Sequence, residues 1–171
     1  MPLPVLLLDE VDHVLTIPVP KVHANTGVSM SIKNQWGCIQ APSMRLKLHP
    51  YFARVIFEVN RALRVAGSVI DGRFGLNRNG PMRGDVERLD WLMVADDILA
   101  ADWVCCEVMR LDPRRIAYLR DFARALSIGL DHALTIEAPF GGAPHGAKGV
   151  GELKSRVASD GPQMRRAYAL A

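Results

Sequence analysis

The stretch that decides the fold is "HVLTIPVPKVHANTGVSMSIKNQWG", His13 to Gly37. Its first part, His13 to Val19, is rich in β-branched residues and closed by Pro18 and Pro20, which reads as a buried strand. From Lys21 the character changes, with two lysines, a histidine, two asparagines and two glycines in the seventeen positions from Lys21 to Gly37. "VSMSIKNQWG" suits a short helix stopped by Gly37. A strand running through a polar loop into a helix is the repeating unit of an α/β sheet, and such sheets bind ligands at the carboxyl ends of their strands.

Working outward, "HPYFARVIFEVNRALRV" places Phe52, Val55, Ile56, Val59 and Leu63 at helical spacing, with Arg54, Glu58 and Arg61 on the opposite side. "GSVIDGRFG" reads as a short strand ending at Asp71, "NRNGPMRGD" as a loop, and "LDWLMVAD" as a third strand. "DDILAADWVCCEVMRLDP" is apolar nearly all round, which predicts a buried helix with Asp96 as its cap, ending before Pro113. "PRRIAYLRDFARALSIG" predicts a more exposed helix and "HALTIEAP" a last strand. The order predicts an α/β domain over residues 1–139, with a mixed or mostly parallel sheet and helices on both faces. Residues 140–171 read as a glycine-rich and then basic tail.

Composition excludes several classes. Net charge is +3 and the 21 basic residues are scattered, which argues against nucleic acid as a partner. The apolar run Leu3 to Leu8 lacks the basic flank and cleavage site of a signal peptide. No apolar run approaches the roughly 18 residues of a membrane span, so a cytoplasmic chain with no membrane partner is expected. Cys38, Cys105 and Cys106 contain no CxxC pair, so no iron–sulfur cluster is expected from this chain's own cysteines, and any other cofactor is left open. "GGAPHGAKGVGE", Gly141 to Glu152, is not a phosphate loop, because Gly146 and Lys148 are separated by Ala147.

The candidate site gathers polar groups from predicted strand ends. Lys21, Lys33 and Asn34 supply donors for a carboxylate or phosphate, and backbone N–H groups of a helix starting near Gly27 would add to them. His23 is the candidate proton-transfer group, and with Lys21 it forms the candidate catalytic pair. Asp71, Asp97 and Asp102 would orient the cations or, with His23, hold a hard metal, although no spacing here is diagnostic of a metal site. Asp97 and Asp102 sit on the apolar helix, where a carboxylate is costly unless paired, and Lys21 or Lys33 are the candidate partners. The alternative for Asp97 is a helix cap, and for Asp102 a structural ion pair.

These segments resemble the domain of unknown function 362 family. The resemblance rests on a short ordered series: Asp12, Pro18, Lys21 and His23, then Thr26, Gly27, Lys33, Asn34 and Gly37. It continues through Asp71, the Gly80–Pro81–Gly84 loop, Asp97, Ala100 and Asp102, and Asp112–Pro113. It covers roughly Val11 to Pro139, and it implies the C-terminal half of a larger α/β domain lacking the ferredoxin-type cysteines that many relatives carry. It implies no particular reaction. Two readings follow: a protein that binds a small anionic molecule at its strand ends in a redox-linked pathway, or a non-catalytic accessory module for a separate ferredoxin-type protein. A shortened chain without activity is a third.

Overall fold

The computed structural model describes residues 1–126 together with the strands Thr135–Glu137 and Arg166–Leu170. The fold is α/β, built among the described residues on a mixed seven-stranded sheet. Its strands are β1 (Val14–Thr16), β2 (Lys21–His23), β3 (Gly27–Ser29), β4 (Val65–Leu76), β5 (Val86–Ala95), β6 (Thr135–Glu137) and β7 (Arg166–Leu170). The order is β3-β2-β4-β5-β7-β6, with β1 beside the start of β4 and β2 beside its end. β1 and β2 run parallel to β4, β6 runs parallel to β7, and the remaining pairings are antiparallel.

The helices are α1 (Ser31–Asn34), α2 (Pro42–Leu48), α3 (Phe52–Leu63), α4 (Ile98–Val108) and α5 (Ala117–Ala125). α3 buries Phe52, Ile56, Val59 and Leu63, the stripe its spacing predicts. α4 is buried almost all round because it lies between the sheet and the other helices, which is why its sequence shows no polar face. Along β4, Ser68, Ile70 and Gly72 are buried against the helices, while Asp71 and Arg73 face away. β5 repeats the alternation, with Trp91, Met93 and Ala95 inward. Edge contacts between Phe52 and Tyr118 (5.5 Å) and between Phe57 and Phe122 (5.2 Å) lock α3 to α5. Burial of each such large side chain contributes about 1.5–3 kcal/mol. Among the described residues, these helices share one core on one face of the sheet.

Several elements differ from the sequence expectations. β4 does not end at Asp71 but runs to Leu76, because Pro18 and Pro20 carbonyls accept from Asp71 and Leu76 N–H and extend its parallel edge. Asp71 is therefore exposed in mid-strand and not at a strand end. Lys21 and His23 lie within a short hairpin, β2–β3, where a loop was expected. Its turn needs Gly27, whose φ of +80° an L side chain rarely adopts. The cap of α4 is Asp97 and not Asp96. Arg166–Leu170 forms β7 between β5 and β6, inside the span read as a tail. The Gly141–Glu152 segment lies outside the described residues.

Candidate functional site

The hairpin, α1 and the start of α3 bring the cationic residues together. In β2, His23 pairs with Gly27 and Lys21 with Ser29. The Asn25 backbone N–H donates to His23 Nδ1 at 3.2 Å, so the ring is neutral with its proton on Nε2. Burial, followed by Lys33, His49 and Lys21, lowers the His23 pKa to about 4. The same effects that name its neighbours show that Lys21, Lys33 and His49 all lie within electrostatic reach of one imidazole.

Lys33, on α1, is buried. Its Nζ donates to Thr26 Oγ1 at 2.9 Å and lies 5.2 Å from the centre of the Phe52 ring. Burial and then Lys21 lower its pKa to about 8. Thr26 in turn donates to the Val28 carbonyl, 3.0 Å away. Among the described residues no carboxylate forms an ion pair with Lys21 or Lys33. Trp36, His49 and Phe52 form an aromatic wall with centroid separations of 4.9 to 6.0 Å. The 77–85 loop closes over β2: the Ala24 N–H donates to the Gly80 carbonyl at 2.9 Å, and a Cβ on Gly80 would collide with the Val22 carbonyl.

The three aspartates do other work. Asp97 Oδ1 accepts from the Ala100 N–H at 2.7 Å and caps α4. Asp102 is fully buried, and its partners are backbone donors and not lysines: Oδ1 accepts from Ser31 N–H at 2.6 Å and Oδ2 from Ile32 N–H at 3.0 Å. Burial is the main reason its carboxyl is pushed up to about 7. These bonds take up the first N–H groups of α1, the donors that the sequence reading assigned to an anion. Ser68 Oγ, 2.7 Å from Ser31 Oγ, and Asn60 Nδ2, donating to the Ile32 carbonyl at 3.0 Å, complete a clamp on the segment carrying Lys33. Asn34 is tied to β1 through Nδ2 and Thr16 Oγ1, 2.8 Å apart. Asp71 Oδ1 accepts from the Arg73 N–H at 3.1 Å on the face away from the helices.

The structure therefore joins Lys21, His23 and Lys33, places Asn34 and Asp102 in their support, and leaves Asp71 apart. Among the described residues no group of three or more His, Cys, Asp or Glu side chains is placed to hold a metal ion. The three cysteines are free, and burial raises the Cys105 and Cys106 thiols. Thr26, His49 and Phe52 were absent from the sequence-derived site. Thr26 stands in the motif already quoted, whereas nothing in "KLHPYF" signals that His49 comes within electrostatic reach of His23.

Fold and site define an α/β protein with a cationic cluster beside a short hairpin, its lysines in no ion pair with a carboxylate among the described residues. The chain belongs to the domain of unknown function 362 family, whose model matches residues 5–107. It is 30% identical over 114 residues to a thylakoid-associated protein of Synechocystis sp., a match covering 63% of this chain and 35% of that relative. The chain thus spans about a third of the relative's length. No solved structure matches it. No helix among the described residues is long and apolar enough to cross a membrane.

Proposed function

We propose that Lys21, His23 and Lys33 bind a small anion, a carboxylate or phosphate, in a cytoplasmic, redox-linked setting. The observation that carries this is a buried lysine ammonium beside a second lysine and a neutral histidine, with no carboxylate pairing to either lysine among the described residues. A cation kept out of water without a counter-ion is costly, and an anionic ligand removes that cost. His23 enters as a hydrogen-bond donor through Nε2–H, since Nδ1 already accepts from Asn25. That geometry supports a binding role for His23 more directly than a general base. The free cysteines suit a reducing compartment.

Calorimetry with inorganic phosphate and with succinate tests the reading. Binding is expected in the unaltered chain and lost in Lys33→Met with the fold retained. Lys33 titrates near 8, so affinity should fall as pH rises through that value and the ammonium loses its charge. Binding that survives Lys33→Met, or that does not weaken above pH 8, would sink the proposal.

A further inference from the structure

The turn of the β2–β3 hairpin holds the end of one lysine in surroundings that suit covalent chemistry as well as ionic binding. Lys33 is 8% exposed, and its Nζ donates to Thr26 Oγ1 at 2.9 Å. The Thr26 hydroxyl proton is committed to the Val28 carbonyl, so the lysine is the donor in this bond whether Nζ is an ammonium or a neutral amine. As an amine, Nζ keeps the bond and carries a lone pair that the threonine does not use. The walls of this region are apolar. The Phe52 ring centre lies 5.2 Å from Nζ, and Ile116 Cδ1 lies 2.7 Å from where a Cβ on Gly27 would stand, next to Thr26 in the turn.

These surroundings lower the cost of losing the Lys33 proton. Burial disfavours the ammonium, Lys21 repels it, and among the described residues no carboxylate forms an ion pair with it. With the pKa lowered from 10.5 to about 8, the nucleophilic amine makes up about a tenth of the molecules at neutral pH, against about one in three thousand for a solvated lysine. Buried lysines beside a second cation are the ones that form imines with carbonyl compounds. Donors for a carboxylate stand next to this amine. Lys21 and His23 alternate with Val22 and so share one face of β2. His23 Nδ1 accepts from the Asn25 N–H, which leaves Nε2–H to donate. A small ligand that offers a carboxylate to these donors and a carbonyl to Nζ, on neighbouring carbons, is a 2-oxo acid.

We propose that Lys33 captures a small 2-oxo acid as an imine, with Lys21 and His23 holding its carboxylate. This rests on the anion-binding reading and deepens it by naming the substrate class. Nζ attacks the keto carbon, the C=O bond breaks and a C=N bond forms. Counted from the ammonium, two of its three protons leave with the carbonyl oxygen as water and the third stays on the iminium nitrogen. The step therefore consumes no oxidant, no reductant and no further acid. The positive charge remains at Nζ, beside the bound carboxylate. Phosphate and succinate have no keto group and meet only the ammonium.

The test is reductive trapping of the full, unaltered chain with pyruvate and cyanoborohydride, mapped by peptide mass spectrometry. Cyanoborohydride delivers hydride to the iminium carbon and fixes the adduct as a secondary amine. Lys47, which is exposed, is the internal reference for unselective labelling. The pyruvate adduct should form at Lys33 at least about tenfold faster than at Lys47. Acetone, which has the carbonyl and no carboxylate, should label Lys33 at least about tenfold more slowly than pyruvate does. Equal labelling of Lys33 and Lys47, an adduct at Lys21 in place of Lys33, or acetone labelling as fast as pyruvate overturns the proposal. Calorimetry with succinate in the same buffer separates this claim from the one beneath it. Succinate binding without pyruvate trapping sinks the imine and leaves the anion site standing, whereas the absence of both sinks both.

Discussion

Asp102→Asn separates the two forces acting on the clamp that holds Lys33. The carboxylate accepts two backbone N–H bonds from α1, which favour its charged form, while complete burial opposes it more strongly and raises the pKa from 3.8 to about 7. Asparagine keeps one acceptor but turns an NH2 toward the second N–H. The loss of one bond and the orphaned donor cost about 1–3 kcal/mol at low pH. The wild-type carboxyl contributes most below pH 4, where folded and unfolded chains are both protonated. Its contribution falls as pH rises through about 7, because the folded chain then holds a proton that the unfolded chain has released. Integrated over that window the loss is about 4 kcal/mol, and asparagine has no such loss.

The expected outcome is a crossover. Asp102→Asn is less stable than the parent at pH 3.5 and more stable at pH 8, with the difference changing by about 4 kcal/mol between them. His23 acts in the opposite sense: its lowered pKa gives stability above about 6.5 that is lost as pH falls toward 4. It does so in both chains, so the difference between them isolates Asp102. Tyr118, Cys105 and Cys106, which neighbour Asp102, have raised pKa values and stay neutral throughout. The assay is urea unfolding followed by tryptophan fluorescence at half-unit pH steps. A stability difference constant to within about 0.5 kcal/mol across the range would refute the reasoning, since it would mean that the two N–H bonds outweigh burial and keep Asp102 ionised.

Other outcomes follow from the same geometry. His23→Gln removes the acid-side loss of stability between pH 6.5 and 4 and leaves the opposing Asp102 contribution uncompensated, so the melting temperature should fall more steeply than the parent's as pH rises from 4 to 6.5. Gly80→Ala forces the 77–85 loop off the Val22 carbonyl and lowers stability by about 2–4 kcal/mol in urea, with weakened anion binding because β2 shifts with it. Asp71→Asn changes phosphate affinity by less than about twofold in calorimetry, because Asp71 lies exposed on the face away from the helices.

The features readable from sequence were those set by local pattern. The α3 stripe and the all-round apolar α4 depend on spacing within a single element, and each appears where its periodicity puts it, whereas the buried strand expected over His13 to Val19 is only Val14–Thr16, with Leu15, Ile17 and Val19 exposed. Asp71 was misplaced for a local reason too. The glycines at 72 and 75 look like a turn, yet in the sheet Gly72 is where the Trp91 ring packs and Gly75 where the Leu89 side chain approaches, so the strand continues through both. β7 was missed because a five-residue strand after a glycine-rich run has no signal of its own, and its place is set by β5 and β6.

The candidate site divides along the same line. Lys21, His23 and Lys33 lie within thirteen positions of one another, so their meeting needs only a hairpin and one turn of helix. The role of Asp102 needs a contact across 71 positions to Ser31. Even so, the sequence held a clue to its role. A lone carboxylate in the middle of a helix that is apolar all round faces the interior, where few mobile cations reach, and the donors most available there are backbone N–H groups at the start of another element. On that argument Asp102 fixes the position from which Lys33 reaches Thr26, and its effect on anion binding should run through the geometry of α1 and not through contact with the ligand.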